Sequence, residues 1–371
     1  HEHRRQRQMC IRDRHNMSND VNHHATLQSL ETFSRTVFEK IDVDAKSSDA
    51  ATRAMLHGSL HGVDSHGIRL LAHYTQAFEG GRLNKKPKLD LTQQRSGTSV
   101  LDADNAHGAA ATYAAIDHGI KTAKESGIAA VAIQNTSHFG PAGAFSKVAA
   151  EAGMIGLVFG NSDSFVRLFD GAEAFHGTNP ISVAVPSGEA NPWLLDMATS
   201  SVPFNRVELH RSKKNDLPKG VASDNNGVAT VDPFAAEMLA PLGGSDFGFK
   251  GAGLGGVAEI FSAVLSGMKL SPDIAPMVGP DFAQVRGLGA FVIVIDPTGF
   301  VAAPIIEAGM LHYLSLLRNS KPRHGQRVMA PGDREWETAY KRRNEGVPLD
   351  PITVAKFDEL ALAHDIRVPW L

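Results

Sequence analysis

The chain has 371 residues, 42% of them hydrophobic and 21% charged, with a formal net charge of -3. That length buries a large core and holds one large domain or two, and the composition is that of an ordered globular protein. The near-neutral charge gives no electrostatic basis for a nucleic-acid or anionic-membrane partner. No apolar run reaches the roughly 20 residues of a membrane-spanning helix.

Residues 1–16 (HEHRRQRQMCIRDRHN) are basic, lack an apolar period and precede a candidate start at Met17. They have no apolar core of a secretory signal and read as a non-native or disordered leader. The single cysteine, Cys10, lies there, so the body is expected to have no disulfide, thiolate metal site or cysteine nucleophile. The cytoplasm is the expected compartment.

From Thr26 to Ile41 apolar residues recur with a helical period, and Ser47, Ser48 or Asp49 caps a second helix through Leu60. A third helix runs from Ile68 to Phe78 and ends at Gly80-Gly81. Lys85-Lys86-Pro87-Lys88 reads as a linker. Strands are expected at Ser99–Asp102, Ile128–Gln134 and Met154–Phe159, alternating with helices at Ala109–Ser126 and Gly143–Ala152. Ile181–Val185 and Trp193–Met197 follow as strands close in sequence, so part of the sheet is expected to be antiparallel. Residues 212–232 are polar and read as an exposed loop. Gly251–Leu265 is the strongest apolar helix, with Leu254, Val257, Ile260, Phe261, Val264 and Leu265. Ala290–Ile295 is a core strand, and helices follow at Ile305–Arg318, Glu335–Asn344 and Thr353–Ala363.

One segment concentrates chemistry. His61-Gly62-Val63-Asp64-Ser65-His66-Gly67-Ile68-Arg69 brings two imidazoles, a carboxylate, a hydroxyl and a guanidinium together. Such groups move protons and hold carboxylates; equally, Gly62 stops a helix and Asp64 or Ser65 caps the next. A second concentration lies at strand ends, where ligands gather in α/β proteins. These are Asn135–Gly140 with His138, Gly160–Asp163 with Ser162, Gly177–Pro180 with Thr178 and Asn179, and Asp196–Ser200. Together they read as a pocket rim.

Gly251, Gly253 and Gly256 fit a G-x-G-x-x-G pattern, but no strand leads into it, so a Rossmann site is not expected. Lys250 at a glycine-rich helix start suits a phosphate. The histidines show no metal-ligand spacing and no metal is expected. No G-x-S-x-G elbow supports a serine hydrolase.

These motifs, GVDSHGIRLLAHY, NTSHFG, GTNP, DMATS, FKGAGL and PGDRE with RRNEGVPLD, in this order and spacing, resemble the type 2 malate/L-lactate dehydrogenase family. That group includes ureidoglycolate dehydrogenase, diketogulonate reductase, sulfolactate dehydrogenase and piperideine-2-carboxylate reductase. The resemblance covers the chain from about Thr26 onward. It implies a non-Rossmann α/β fold, a mixed sheet covered by helices with helical N- and C-terminal segments. Four parts are expected: the leader; 17–90, helical and carrying the Ser-His-Gly motif; 91–300, an α/β nucleotide-binding region; and 301–371, helical and packed on the N-terminal part.

The resemblance also implies hydride transfer between NAD or NADP, with NAD favoured, and a 2-hydroxy or 2-keto acid. A cyclic imino acid as substrate, and a catalytically silent nucleotide binder, are the alternatives. His66 is implied as the proton donor, Ser65 and Asp196 as its orienting partners, and His138 as a further acid–base group. Arg69, Tyr74, Thr178 and Asn179 are expected at the substrate. Ser162, Leu195, Met197, Ala198, Thr199, Lys250, Gly251, Gly332, Asp333 and Arg334 are expected at the cofactor. A homodimer with its active site near the interface is implied, with no membrane or nucleic acid. Two positions depart from the family pattern: its arginine stands where this chain has Leu70, one residue past Arg69, and its histidine before Lys-Gly is Phe249.

Overall fold

The computed structural model describes residues 23–370; the leader expected at 1–16 lies outside them. Strand β1 (His23–Ala25) leads into α1 (Leu27–Lys40), capped by the Thr26 side chain. Helix α2 (Ala45–Leu60) starts earlier than its sequence suggested. Asp44, not Ser47 or the residues after it, is the cap, because its carboxylate takes the Ser47 N–H at 2.6 Å. The Ser-His-Gly segment then folds as two single turns of 3-10 helix, Asp64–His66 and Ile68–Leu70, before α3 (Leu71–Glu79).

The main sheet has seven strands. In chain order they are β2 (Asp90–Arg95), β3 (Thr98–Asp102), β4 (Ile128–Thr136), β5 (Ile155–Gly160), β8 (Ile181–Val185), β9 (Trp193–Met197) and β13 (Leu288–Ile295). Their spatial order is β2-β3-β4-β13-β5-β8-β9. Only β3 and β4 run parallel, joined through α4 (Gly108–Ser126); the other neighbours are antiparallel. The sheet is therefore mixed, as expected, and not of the Rossmann type. Val292 of β13 pairs with Val131 on one side and Val158 on the other. Helices α4 and α5 (Gly143–Glu151) cover one face with an alanine-rich core. The opposite face is covered through Phe261, whose ring packs on Phe159 and Phe291 at 4.7 and 5.1 Å.

A smaller sheet is built from β6 (Val166–Arg167), β7 (Ala174–His176), β10 (Ala222–Ser223), β11 (Ala229–Thr230) and β12 (Met238–Leu239), in the spatial order β11-β10-β12-β6-β7. It has its own core with α6 (Phe204–Lys213), including Val166, Val207, Leu217 and Leu239. The stretch 212–232, expected as a plain loop, supplies two of these strands. They are too short for their alternation to show against the polar background.

Helix α7 (Gly244–Glu259) continues into a π-helical turn, Ile260–Val264. The strongest apolar helix of the sequence forms here, but its apolar stripe stays uncovered. Leu254, Val257, Ile260, Val264 and Leu265 are 38 to 61% exposed. Helix α8 (Ala303–Arg318) buries only Leu314 and leaves Ile305 and Leu316 each 61% exposed. Helices α9 (Asp333–Glu345) and α10 (Pro351–His364), with β14 (Val347–Leu349) between them, complete the chain. β14 pairs with β1, and α10 packs in one core with α1, α2 and α3, so the first and last described elements close on each other.

Candidate active site

Close backbone approach builds the site. A Cβ on Gly58, in α2, would stand 2.7 Å from the His66 carbonyl oxygen, and one on Gly67 would meet Ser59 Oγ and its N–H. Only glycine at both positions lets the Ser-His-Gly segment lie flat on the end of α2. Ser59 Oγ accepts the Ile68 N–H at 2.8 Å. From the far end of the chain, Arg342 of α9 forks onto Asp64 at 2.5 and 2.9 Å and also donates to the Ser59 carbonyl.

His66, thus placed, bonds through Nδ1 to Ser65 Oγ at 2.7 Å, and its Nε2 has no hydrogen-bond partner among the described residues. Its ring stacks on that of His138, centroids 5.5 Å apart, although 72 positions separate the two in the chain. His138 sits just beyond β4, and its Nδ1 bonds the Tyr74 hydroxyl at 2.8 Å. Tyr74 is 2% exposed, so its hydroxyl anchors a histidine where a substrate contact was expected. His107 packs edge-to-face against the Tyr74 ring at 4.1 Å.

Burial pushes both histidines down. His66 falls to about 4, the Arg69 guanidinium adding to the effect. His138 falls well below the ordinary histidine range, with His66, Arg286, His73 and His107 contributing. Both are neutral at pH 7, the form in which an imidazole accepts a proton from a hydroxyl. Arg69, half-buried, makes no hydrogen bond or ion pair among the described residues.

Asp196 does not reach His66, so the expected Ser65–His66–Asp196 relay has only its first link. The Asp196 carboxylate instead takes the Gly143 N–H at 2.9 Å, and a Cβ on Gly143 would stand 2.7 Å from it. The turn carrying Gly143 touches the histidines at its other end, where a Cβ on Gly140 would lie 3.7 Å from the His66 carbonyl and 3.8 Å from the Tyr74 hydroxyl. Burial raises the Asp196 carboxyl from 3.8 to about 6, against the Gly143 bond. The folded chain thus holds this proton more tightly than the unfolded one. The resulting stabilisation is complete below about pH 4 and is lost as pH rises through 6, on the order of 2–3 kcal/mol by pH 7. Asp196→Asn retains an acceptor for Gly143 and escapes that loss. Its Tm should exceed the parent's at pH 7 and approach it near pH 4; the same difference at both pH values would exclude Asp196 as the titrating group.

The expected cofactor residues fall into two groups. Gly332 packs on Leu194, and Leu194 N–H donates to Pro331 at 3.2 Å, which sets Gly332, Asp333 and Arg334 beside Leu195 and Asp196. Asp333 itself is held by Arg318 at 2.7 and 3.0 Å and takes the Ala330 N–H, at the edge of a cavity of about 350 Å³. Met197 and Ala198 lead to the second group, around Thr199. Thr199 Oγ1 donates to the Thr178 and Asn179 carbonyls, its own carbonyl takes the Leu242 N–H, and Gly251 fits against Leu242 with no room for a Cβ. Ser162 Oγ lies where a Cβ on Gly177 would stand.

Asn179 is wholly buried, its amide donating to Gly255 and Glu259 at 3.0 and 2.7 Å. It braces α7 and does not face a ligand, contrary to expectation. Lys250 is exposed and lies just after a break in α7 at Phe247, with the Phe247 and Phe249 rings beside its ammonium and no ion pair among the described residues. A free ammonium in the first turn after a helix break fits a phosphate-bearing cofactor.

Sequence reasoning missed Arg286, 2% exposed and ion-paired with Asp163, whose charge bears on His138 and His73. Its loop position carried no signal. Arg342 lies inside the RRNEGVPLD motif, but only the fold reveals Asp64 as its partner.

Residues 25–358 match the family described as malate/L-lactate dehydrogenase. A ureidoglycolate dehydrogenase (NAD(+)) of Escherichia coli K12 is 33% identical over 326 residues, 86% of this chain and 92% of that protein. A malate dehydrogenase of Pyrococcus horikoshii is 30% identical over 339 residues, 90% of this chain and 93% of that one. The crystal structure of malate dehydrogenase from Entamoeba histolytica superposes with a TM-score of 0.89 at 29% identity, over 94% of this chain and 100% of that one.

Proposed function

The chain belongs to the malate/L-lactate dehydrogenase family, a group of nicotinamide-dependent hydroxy-acid oxidoreductases, and from that premise we propose that it interconverts a 2-hydroxy acid and its 2-keto acid at His66. The observation that carries this reading is the stacked pair of neutral histidines, each bound at Nδ1 by a hydroxyl. When bound, the nicotinamide accepts or supplies the hydride. His66 takes the hydroxyl proton as the substrate is oxidised and returns it in the reverse direction, with Ser65 holding its ring. Arg69, free of any carboxylate among the described residues, holds the substrate carboxylate. That anion, beside His66, favours the imidazolium needed for reduction. His138 is the second acid–base group, its Nδ1 taking the Tyr74 hydrogen and its Nε2–H able to donate toward the substrate oxygen.

Lys250 and Gly251 take the cofactor phosphates, with Ser162, Leu195, Met197, Ala198 and Thr199 on one side and Gly332, Asp333 and Arg334 on the other. NAD is favoured over NADP, in line with the ureidoglycolate relative's name. The cytoplasm is the proposed compartment, in keeping with a chain that has no cysteine after Cys10.

The test is to follow absorbance with NADH or NADPH against a panel of 2-keto acids and cyclic imino acids. Oxidation of NADH by a 2-keto acid is the expected result. Turnover only with a cyclic imino acid would replace the substrate, and bound NADH with no turnover anywhere would sink the enzyme reading.

The proposed assembly is a homodimer. Its support is the apolar surface of α7 and α8, where Leu254, Val257, Val264, Ile305 and Leu316 stand exposed. Sedimentation of the parent as a dimer and of Leu316→Glu as a monomer is expected; a monomeric parent would refute it.

A further inference from the structure

We propose that His107 is a positioning residue for the acid–base pair. It clamps the Tyr74 ring so that the phenol donates to Nδ1 of His138 and the His138 proton stays on Nε2. The kinetic consequence rests on the oxidoreductase reading; the proton placement does not.

His107 is fully buried and is the N-cap of α4, its Nδ1 accepting the Ala109 N–H at 3.1 Å. A ring nitrogen that accepts carries no proton, so the neutral ring bears its hydrogen on Nε2. Nε2 is buried and has no hydrogen-bond partner among the described residues. The imidazole stands at 82° to the Tyr74 ring, 4.1 Å between centroids, while Phe78 lies nearly parallel to it at 6.2 Å. An edge-to-face contact this close restricts the plane in which the Tyr74 ring can lie.

Among the described residues the Tyr74 hydroxyl has one partner, His138 Nδ1 at 2.8 Å. If Nδ1 carried the hydrogen, the phenol would accept and its own buried hydrogen would have no acceptor. The phenol therefore donates, and His138 keeps Nε2–H. The main chain reinforces this placement. A Cβ on Gly108 would stand 2.2 Å from the Ser137 carbonyl oxygen and 2.7 Å from the His138 carbonyl carbon. Helix α4 thus starts in contact with the backbone that carries His138. Among the described residues His107 makes no hydrogen bond to His66 or Arg69, and it reaches the acid–base pair through the Tyr74 ring and the backbone of His138.

The plain alternative is that His107 only caps a helix. His107→Asn keeps a capping acceptor and removes the ring; His107→Phe keeps the ring and removes the cap. The first readout is the ¹⁵N shifts of the His138 ring in the full chain without cofactor. The second is the pH profile of kcat, for which the groups facing His138 are Tyr74, His66, His73, His107 and Arg286.

The parent and His107→Phe should show an unprotonated Nδ1 and a protonated Nε2, the Phe variant with a lower Tm. His107→Asn should show averaged nitrogens, a kcat lower by about 5–10-fold, a fraction of the general acid–base gain, and an unchanged KM for the hydroxy acid. An Asn variant with the parental nitrogen pattern overturns the proposal. If Asn does not fold, His107→Gln carries the same two outcomes. A parent that turns over no hydroxy or keto acid overturns the functional reading instead, and the nitrogen shifts still decide this one.

Discussion

His66→Ala should lower kcat by at least about 10²-fold while leaving NADH binding and Tm close to the parent's. Proton transfer by a positioned side chain contributes about 10²–10⁴-fold, and the His66 ring is held at Nδ1 by Ser65 at 2.7 Å with no partner on Nε2 among the described residues. His66 retains some exposure, belongs to no hydrophobic core cluster and makes one side-chain hydrogen bond among the described residues, so its removal leaves the core intact. His138→Ala is the counterpart. It removes a ring that locks Tyr74, so it should cost stability as well as activity. Near-parental turnover in His66→Ala together with a collapse in His138→Ala would transfer the acid–base assignment to His138.

Gly58→Ala should reduce stability by about 1–3 kcal/mol, the usual cost of overpacking, and should reduce activity more than the stability loss explains. The added methyl would stand 2.7 Å from the His66 carbonyl oxygen and 3.0 Å from the Gly67 Cα. Both are backbone atoms, and they cannot rotate away. The Ser-His-Gly turns must lift off α2, against the Ser59–Ile68 bond and the grip of Arg342 on Asp64. Circular-dichroism melts give the stability loss. Turnover measured well below the melting range gives the catalytic loss. A variant with parental Tm and parental kcat would show that the close approach carries neither.

Much of the fold was legible because periodicity reports burial. The strands at 128, 155, 181, 193 and 290 and most helices follow their apolar patterns. The exposed stripe on α7 shows the limit of that signal. An apolar face says that something covers it, not that this chain does. The site was legible as residue types, with His66, Ser65 and His138 brought together as the motifs suggested. What the motifs could not show was pairing at a distance. Asp196 bonds a backbone N–H, Asn179 is sealed under α7, and Tyr74 serves a histidine. Those partners follow from register and from glycine contacts such as Gly143 and Gly108, which no local pattern encodes.

The place of β13 in the main sheet bears on how the molecule comes to be made. It lies between β4 and β5, yet it is the last of the seven strands in the chain. Pairing Val292 with Val131 closes a loop of about 160 residues, a high-contact-order step that slows folding. Until residue 295 has left the ribosome, β4 and β5 each present an open, apolar edge, the kind that pairs with other chains. A nascent chain cut just before Leu288 therefore lacks the centre of its sheet rather than its rim, and no domain-sized piece on the N-terminal side can finish the sheet ahead of the rest.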